Sequence, residues 1–181
     1  MFLKQQFSAA ARAALAPVLG GLAVLALGVA AQPAPVAAAD PVTAVIFEFS
    51  NNDTSGEDSD RTARHAARVS SFDELLADSI AARGTVRFVG VDCPQAPCEA
   101  GRMPVDEVFR MAQQAGARLL VHGGIHKMST LVQFGALEVI DIESQKVVLK
   151  RTFSFRGDTD EAFRRAADFM ARYFDEVTRN L

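Results

Sequence analysis

LVQFGALEVID at residues 131–141 and KVVLKRTFSF at residues 146–155 are the two segments that decide the fold. Both are rich in β-branched, aliphatic and aromatic residues, and each has the length of a strand. A short polar turn containing Glu143, Ser144 and Gln145 separates them. The pattern therefore predicts an antiparallel hairpin, because a connection this short joins neighbouring antiparallel strands.

The segment after the hairpin predicts a helix. Asp158 and Glu161 have the spacing of a capping box, in which two side chains satisfy the first backbone N–H groups of a helix. Apolar residues then recur at steps of three and four: Phe163, Ala166, Ala167, Met170, Phe174 and Val177. Because such a stripe buries one face of a helix, we expect the last helix to lie across the sheet.

Three apolar segments upstream predict further strands: VTAVIFEF at 42–49, TVRFVGVD at 85–92 and RLLVHGGIHK at 118–127. A helix with a capping box at Ser71 and Glu74 is predicted between the first two, beginning either there or earlier, near Asp60. In the second case its solvated side would hold Arg61, Arg64, His65 and Arg68. A second helix is predicted from Pro104 to Gly116.

The order β-α-β-α-β-β-β-α predicts an α/β fold of the α+β sandwich type. Helices would pack on a mixed five-stranded sheet, parallel where helices cross over and antiparallel in the final hairpin. The acidic residues 51–60 (NNDTSGEDSD) are predicted to form a loop. Residues 40–181 are expected to form one domain.

The first 39 residues predict an export signal. Lys4 and Arg12 precede an apolar run, and a small-residue segment ends at Ala39, where we expect cleavage. The alternative is a retained membrane anchor, which the interruption of the run by Pro17, Gly20 and Gly21 disfavours. The mature protein is therefore expected in the periplasm or outside the cell, without stable membrane insertion.

The composition excludes some classes of partner. The chain has 19 Lys and Arg against 22 Asp and Glu, and its formal net charge is −3. Nucleic acid and anionic lipid surfaces are bound by clustered basic residues, so neither is expected as a partner. With no Trp and a single Tyr, platforms for stacking bases or sugars are scarce.

Three segments resemble a family of small secreted bacterial proteins with a domain of unknown function, of the 2380 type. They are residues 45–55 (VIFEFSNNDTS), residues 116–131 (GARLLVHGGIHKMSTL), and residues 141–165, which include DIESQKVV and RGDTDEAFRR. A cysteine pair after the second strand also fits that family. The order of strands and helices is similar to the amino-terminal domain of TolB and related envelope lipoprotein domains, which are binding modules. The resemblance implies a fold, and it provides no activity to carry over to this chain.

Cys93 and Cys98 enclose four residues, PQAP. In an exported protein this spacing is typical of a disulfide that closes a small loop. A redox role is the weaker alternative, because the spacing is not C-x-x-C.

His122 and His126 are four residues apart and would share one face of a regular strand. With a carboxylate nearby they could bind Zn or Cu. Gly123 and Gly124 allow a bulge that would separate them, and histidines on a solvated strand face are the simpler reading. We therefore expect no metal and no cofactor, and keep both residues as weak metal candidates.

Two acidic or charged motifs have structural alternatives. Residues 51–62 lack the last ligand of a calcium loop, because Thr62 stands where an EF-hand has Glu. Asp53, Thr54 and Ser55 are candidates for binding a partner, or for holding a turn through side-chain hydrogen bonds. The Arg-Gly-Asp sequence at 156–158 is read as a strand end followed by a helix cap.

None of the linear catalytic motifs that we searched for is present, including G-x-S-x-G, H-E-x-x-H and the P-loop. The sequence thus predicts a non-enzymatic accessory or binding module that contacts another envelope protein. The expected contact surface is the edge of the hairpin at 131–155 or the loop at Asp53–Ser55. The alternative is a small-ligand or metal-binding protein that uses His122, His126 and the Cys93–Cys98 loop.

Overall fold

The computed structural model describes residues 40–94 and 96–181. The predicted export signal at residues 1–39 lies outside them. The described residues form a six-stranded sheet. Five strands have the order β3-β1-β4-β5-β6, and the sixth, β2, pairs with β4. The strands are β1 (Val42–Ile46), β2 (Ser50–Asp53), β3 (Val86–Phe88), β4 (Leu119–Lys127), β5 (Val132–Asp141) and β6 (Lys146–Arg156).

The predicted mixed α/β fold is confirmed, with one strand more than expected. β1 pairs in parallel with β3 and β4, whereas β4, β5 and β6 are antiparallel to one another. The additional strand, β2, pairs in parallel with the second half of β4. Residues 51–53 were predicted as part of a loop, because the strand sequence SNND has no apolar alternation and is held by backbone pairing alone.

The helices are α1 (Ser59–Ser70), α2 (Phe72–Ala81), α3 (Val105–Gln114), α4 (Asp160–Ala171) and α5 (Phe174–Arg179). The C-terminal stripe is buried as predicted, although its helix is divided between α4 and α5. Gly116 follows α3 with a positive φ of 71°, the left-handed conformation expected after a helix end.

The predicted helix caps are wrong at both positions. Ser71 lies between α1 and α2 with helical dihedrals, and its hydroxyl donates to the Ala67 carbonyl, so it cannot cap α2 together with Glu74. Helix α1 begins earlier and is capped by Asp58. For α4 the cap is Thr159, which accepts a hydrogen bond from the Ala162 N–H.

Asp158 and Glu161, which were predicted to form the last capping box, bind side chains instead. Asp158 binds Lys127 and Arg68, and Glu161 binds Arg164 and Arg165. A second prediction in this region is also wrong: His65 is fully buried rather than on a solvated side of α1. Its position, four residues before the buried Val69, places it on the face of α1 that packs inward.

The two faces of the sheet are covered unequally. On the face that we call the helix face, Val121, Ile125, Leu137 and Phe153 pack in one core with residues of α2, α4 and α5. On the opposite face, the open face, α3 and the end of the cysteine loop form a smaller core over β1 and the start of β4. The exposed alternate residues of β5 and β6 lie on the open face.

Candidate functional site

The segments that resemble the family meet at a buried lysine. Lys127, the last residue of β4, is 0% exposed and lies on the helix face. Its ammonium donates to Glu57 at 2.5 Å and to Asp158 at 2.7 Å. Asp53 Oδ2 lies 4.0 Å from the same nitrogen. We call these four residues, with His65 and Arg68, the Lys127 cluster.

Asp158 joins the two sides of the Lys127 cluster. Its Oδ1 lies 3.0 Å from His65 Nδ1 and accepts a hydrogen bond from Arg68 at 3.3 Å. Burial alone would raise the pKa of Asp158, but the hydrogen bonds from Lys127 and His65 outweigh burial and lower this pKa to about 2. Burial likewise opposes the charge on Lys127, and its bonds to Asp158 and Glu57 raise the lysine pKa nonetheless. Lys127 and Asp158 are therefore both charged at neutral pH, and each charge compensates the burial of the other.

The predicted partner-binding residues Asp53, Thr54 and Ser55 form a turn, and Asp53 also belongs to the Lys127 cluster. Asp53 Oδ1 accepts hydrogen bonds from the Ser55 N–H at 2.9 Å and the Ser55 hydroxyl at 2.6 Å. The Thr54 N–H donates to the Lys127 carbonyl at 2.9 Å, and Thr54 Oγ1 lies 2.8 Å from His126 Nε2. These contacts occupy Oδ1 of Asp53 and the Thr54 and Ser55 hydroxyls, and the second carboxylate oxygen of Asp53 is buried. The turn therefore offers a partner little bonding capacity.

A cleft of about 520 Å³ lies on the open face of the sheet. The register of β4 and β5 explains its shape: His122 is opposite Glu138, Gly124 opposite Ala136, and His126 opposite Phe134. Since residues two apart on a strand share a face, a pair of small residues lies between two pairs of large ones. Ser50 and Asn52 of β2 form one wall of the cleft.

His122 and His126 both line this cleft, together with Glu138. The pairing of β4 with β5 runs without a register shift from Leu119 to Lys127, so the glycines between the histidines form no bulge. His122 Nε2 lies 3.6 Å from Glu138 Oε2. Burial lowers the pKa of His122, and the smaller effect of Glu138 raises it, so the imidazole is neutral at pH 7.

The cleft does not contain a formed metal site. Within residues 40–94 and 96–181, no group of three or more His, Cys, Asp or Glu side chains is placed to hold a metal ion. A stable zinc site needs at least three protein ligands. The chemistry of the cleft is better suited to a polar molecule that exchanges hydrogen bonds with the neutral His122 imidazole, the His126 ring and the Glu138 carboxylate.

The cysteine loop borders the same cleft. Cys93 and Cys98 are at disulfide distance, with Cα atoms 5.9 Å apart. The Cys98 N–H donates to Glu48 Oε1 at 2.9 Å, and the Glu48 N–H donates back to the Cys98 carbonyl at 3.0 Å. This exchange fixes the chain after the loop, where Glu99, Ala100 and Gly101 form another wall of the cleft.

The residues at the centre of the Lys127 cluster and of the cleft were not predicted from the sequence. Lys127 has the same strand parity as the buried Val121 and Ile125, which is a signal that it faces the core. In β5, Phe134, Ala136 and Glu138 are two residues apart, so their side chains lie on the same face of the sheet. Which face stays open depends on how the helices pack, and a strand pattern alone does not contain that information.

Comparisons with known proteins follow this geometry. Among solved structures, the chain is similar to TolB from Acinetobacter baumannii with 12% identity and a TM-score of 0.49. This match covers 76% of the chain and 28% of TolB, so the chain spans just over a quarter of that protein. It is also similar to the PelC dodecamer from Paraburkholderia phytofirmans, with 17% identity, a TM-score of 0.49, and coverage of 78% and 91%. For lipoprotein GNA1162 from Neisseria meningitidis the identity is 11%, the TM-score 0.39, and the coverage 78% and 100%.

No curated protein matches the chain. Within the part of the chain that the structure describes, no helix is long and apolar enough to cross a membrane. A family model matches residues 42–174. The resemblance predicted from the sequence is thereby confirmed, and the chain belongs to the family described as "Protein of unknown function (DUF2380)".

Proposed function

We propose that this chain is a non-enzymatic accessory module of the cell envelope that binds another envelope protein through the hairpin of β5 and β6. The observation that supports the proposal is the position of β6 in the sheet. Among the described residues, β6 pairs with β5 alone, so its outer edge carries backbone groups that no other strand pairs. A strand edge of this kind accepts a strand from a partner, because the unpaired N–H and C=O groups are already aligned.

The hairpin is a better contact surface than the loop at Asp53–Ser55. The loop side chains bind one another, His126 and the Lys127 carbonyl. Strand β6 is 11 residues long and mostly exposed. A partner could therefore pair with β6 without breaking hydrogen bonds that the protein already makes.

Site-specific photo-crosslinking in the producing cells tests this proposal. A photoreactive amino acid replaces Ser154, which is exposed in β6, and in a control it replaces Ala63, which is exposed in α1. We expect one discrete adduct with an envelope protein from position 154 and none from position 63. Recovery of the uncrosslinked chain alone from position 154, or the same adducts from both positions, contradicts the proposal.

A second candidate function, binding of a small polar ligand, is favoured by the convergence of His122, His126 and Glu138 in the cleft. Native mass spectrometry of protein purified from its own cells tests it. A co-purifying molecule should be present in the wild type and lost in Ala136→Leu, which fills the middle of the cleft. Wild-type protein that carries no ligand, and binds none from an extract of the same cells, contradicts this candidate.

A further inference from the structure

A groove of about 280 Å³ runs between the outer edge of β6 and helix α4. Phe153 and Phe155 of β6 form one side, and Ala166 and Phe169 of α4 form the other. Phe153 and Phe155 lie on the helix face, where Phe155 contacts Phe163 with ring centroids 5.1 Å apart. The groove is thus a continuation of the main core that reaches the surface beside an unpaired strand edge.

Phe169 is unusual for its position in α4. Its neighbours on the inner side of α4, including Ala166 and Met170, are buried, whereas Phe169 is 44% exposed. Exposed aromatic residues next to a groove are frequent anchors in protein interfaces, because they bury a large area with little loss of conformational entropy. The groove therefore offers an apolar contact as well as backbone pairing.

The two charged residues that line the groove are both basic. Arg156 and Arg165 line it, and no carboxylate does so among the described residues. Glu161 lies next to Arg165, which donates to it at 3.1 Å. Strand β6 itself carries Lys146, Lys150, Arg151 and Arg156 and no acidic residue, in a chain with a net charge of −3. Lys150 is paired with Glu138 of β5, and the Arg151 guanidinium lies 4.7 Å from the centroid of the Tyr173 ring. Arg156 is the basic residue of β6 that lines the groove.

We propose that this groove binds an extended segment of the partner protein in which apolar and acidic residues alternate. This inference rests on the proposed function and names the chemistry of its partner. The segment would add to β6 as a further strand. Its residues opposite Phe153 and Phe155 would face α4 and Phe169, which favours apolar side chains there. Its residues opposite Lys150 and Arg156 would face the other way, which favours Glu or Asp.

A second copy of the chain is a poorer occupant. Two β6 strands paired edge to edge would bring together segments that each contain four basic residues and no acidic ones. Like charges placed opposite one another destabilise a strand pair. The charge complementarity therefore favours a different, acidic chain.

Peptide binding to the purified protein, measured by fluorescence anisotropy, tests the inference. The probe is a short labelled peptide of alternating valine and glutamate, and the controls are the valine–lysine peptide and a valine–glutamate peptide with methylated backbone nitrogens. We expect the first peptide to bind and both controls to fail. An N-methylated peptide or a valine–lysine peptide that binds equally well overturns the inference, because strand pairing or acidic recognition would then not be involved.

A matched pair of variants locates the binding site. Phe169 and Phe134 are both 44% exposed, and they lie on opposite sides of the sheet. We expect Phe169→Asp to weaken peptide binding by more than about tenfold and Phe134→Asp to leave it unchanged. Arg156→Glu, at an exposed position, should also weaken binding of the valine–glutamate peptide and should allow the valine–lysine peptide to bind. Equal effects of the two phenylalanine variants, or self-association of the wild type that excludes the peptide, overturn the inference.

The outcomes separate this inference from the proposed function. If position 154 crosslinks to an envelope protein in cells but the acidic peptide does not bind, the proposed function stands and the alternating acidic segment is ruled out. Peptide binding in solution without an adduct in cells would reject the proposed function and retain the groove as a strand-binding site.

Discussion

His126 and Lys127 are neighbours in β4 that point to opposite faces of the sheet and have opposite roles. Lys127 is fully buried on the helix face and bound by carboxylates on β2, the following loop and the turn before α4. His126 lines an open cleft and contacts Thr54. The charged groups around Lys127 therefore bind one another, whereas His122, His126 and Glu138 line a cleft that is open to another molecule.

The difference follows from solvation. A buried ammonium loses its hydration and must be compensated by carboxylates and hydrogen bonds, so its partners are fixed by the fold. A partly exposed imidazole retains contact with water, so its hydrogen bonds need not all come from the protein. The first kind of site specifies how segments assemble, and the second kind is available for binding.

Replacement of Lys127 by Met gives the largest expected effect. The side-chain volume is kept, but Glu57 and Asp158 lose the charge that compensates their burial. Breaking one side of a buried ion pair costs about 3–5 kcal/mol, and we expect a loss of that size in the free energy of unfolding from urea denaturation. Lys150→Met is the control, because Lys150 is 72% exposed and a change there should cost at most about 1 kcal/mol. Equal losses for the two variants would show that the cluster is not a stabilising unit.

Substitutions at the adjacent residues Gly135 and Ala136 compare how tightly the two faces of the sheet are packed. A Cβ atom at Gly135 would collide with the Phe153 ring on the helix face, so Gly135→Ala should destabilise by about 1–3 kcal/mol through overpacking. Ala136→Leu adds more atoms on the open face and should change stability by less than about 0.5 kcal/mol. Thermal unfolding of both variants measures the difference. A larger loss in Ala136→Leu would mean that the open face is packed and the cleft is absent.

Asp158→Asn tests how much the Lys127 cluster contributes to stability in acid. The folded-state pKa of Asp158 is about 2, lowered from 3.8. The unfolded chain therefore binds more protons between these values, and this contribution to stability is present above pH 4 and is lost as the pH falls toward 2. We expect the unfolding free energy of the wild type to fall more steeply over this window than that of Asp158→Asn. Asp106→Asn serves as the control, since Asp106 is exposed at the start of α3, far from this cluster in the sequence, and it should keep the wild-type slope.

The parts of the fold that depend on local patterns were predictable. The hairpin of β5 and β6, strand β4 and the buried stripe of α4 and α5 each follow from a period of side-chain burial. Strand β2 was not predictable, since SNND is held by backbone pairing to β4. The caps at Ser71 and Asp158 failed for a related reason. Capping-box spacing describes one helix end, whereas tertiary contacts made Ser71 a link between two helices and Asp158 a partner of Lys127.

Some residues of the candidate sites could be predicted from the sequence, but their positions relative to one another could not. The spacing of His122 and His126 correctly predicts a shared strand face, because strand periodicity is local. The burial of Lys127 and His65 depends on contacts between residues about 30 to 90 positions apart, as between Lys127 and Asp158 or His65 and Asp158. A single sequence shows which residues of a strand share a face, but the packing of the helices decides which of the two faces is buried.

The smallest expected effect concerns the cleft and occurs at a different pH. Burial lowers the pKa of His122 from 6.5, with Glu138 opposing and Lys150 supporting that change. The unfolded chain consequently binds more protons just below pH 6.5, so the stability that neutral His122 contributes is present above that pH and declines as the pH falls through the folded-state pKa. We expect a shallow loss of unfolding free energy between about pH 7 and pH 5 in the wild type, and its absence in His122→Gln. NMR titration of the His122 ring measures the pKa directly. A ring that titrates above 6.5 would mean that Glu138 dominates over burial, and the cleft would then present an imidazolium to its ligand near neutral pH.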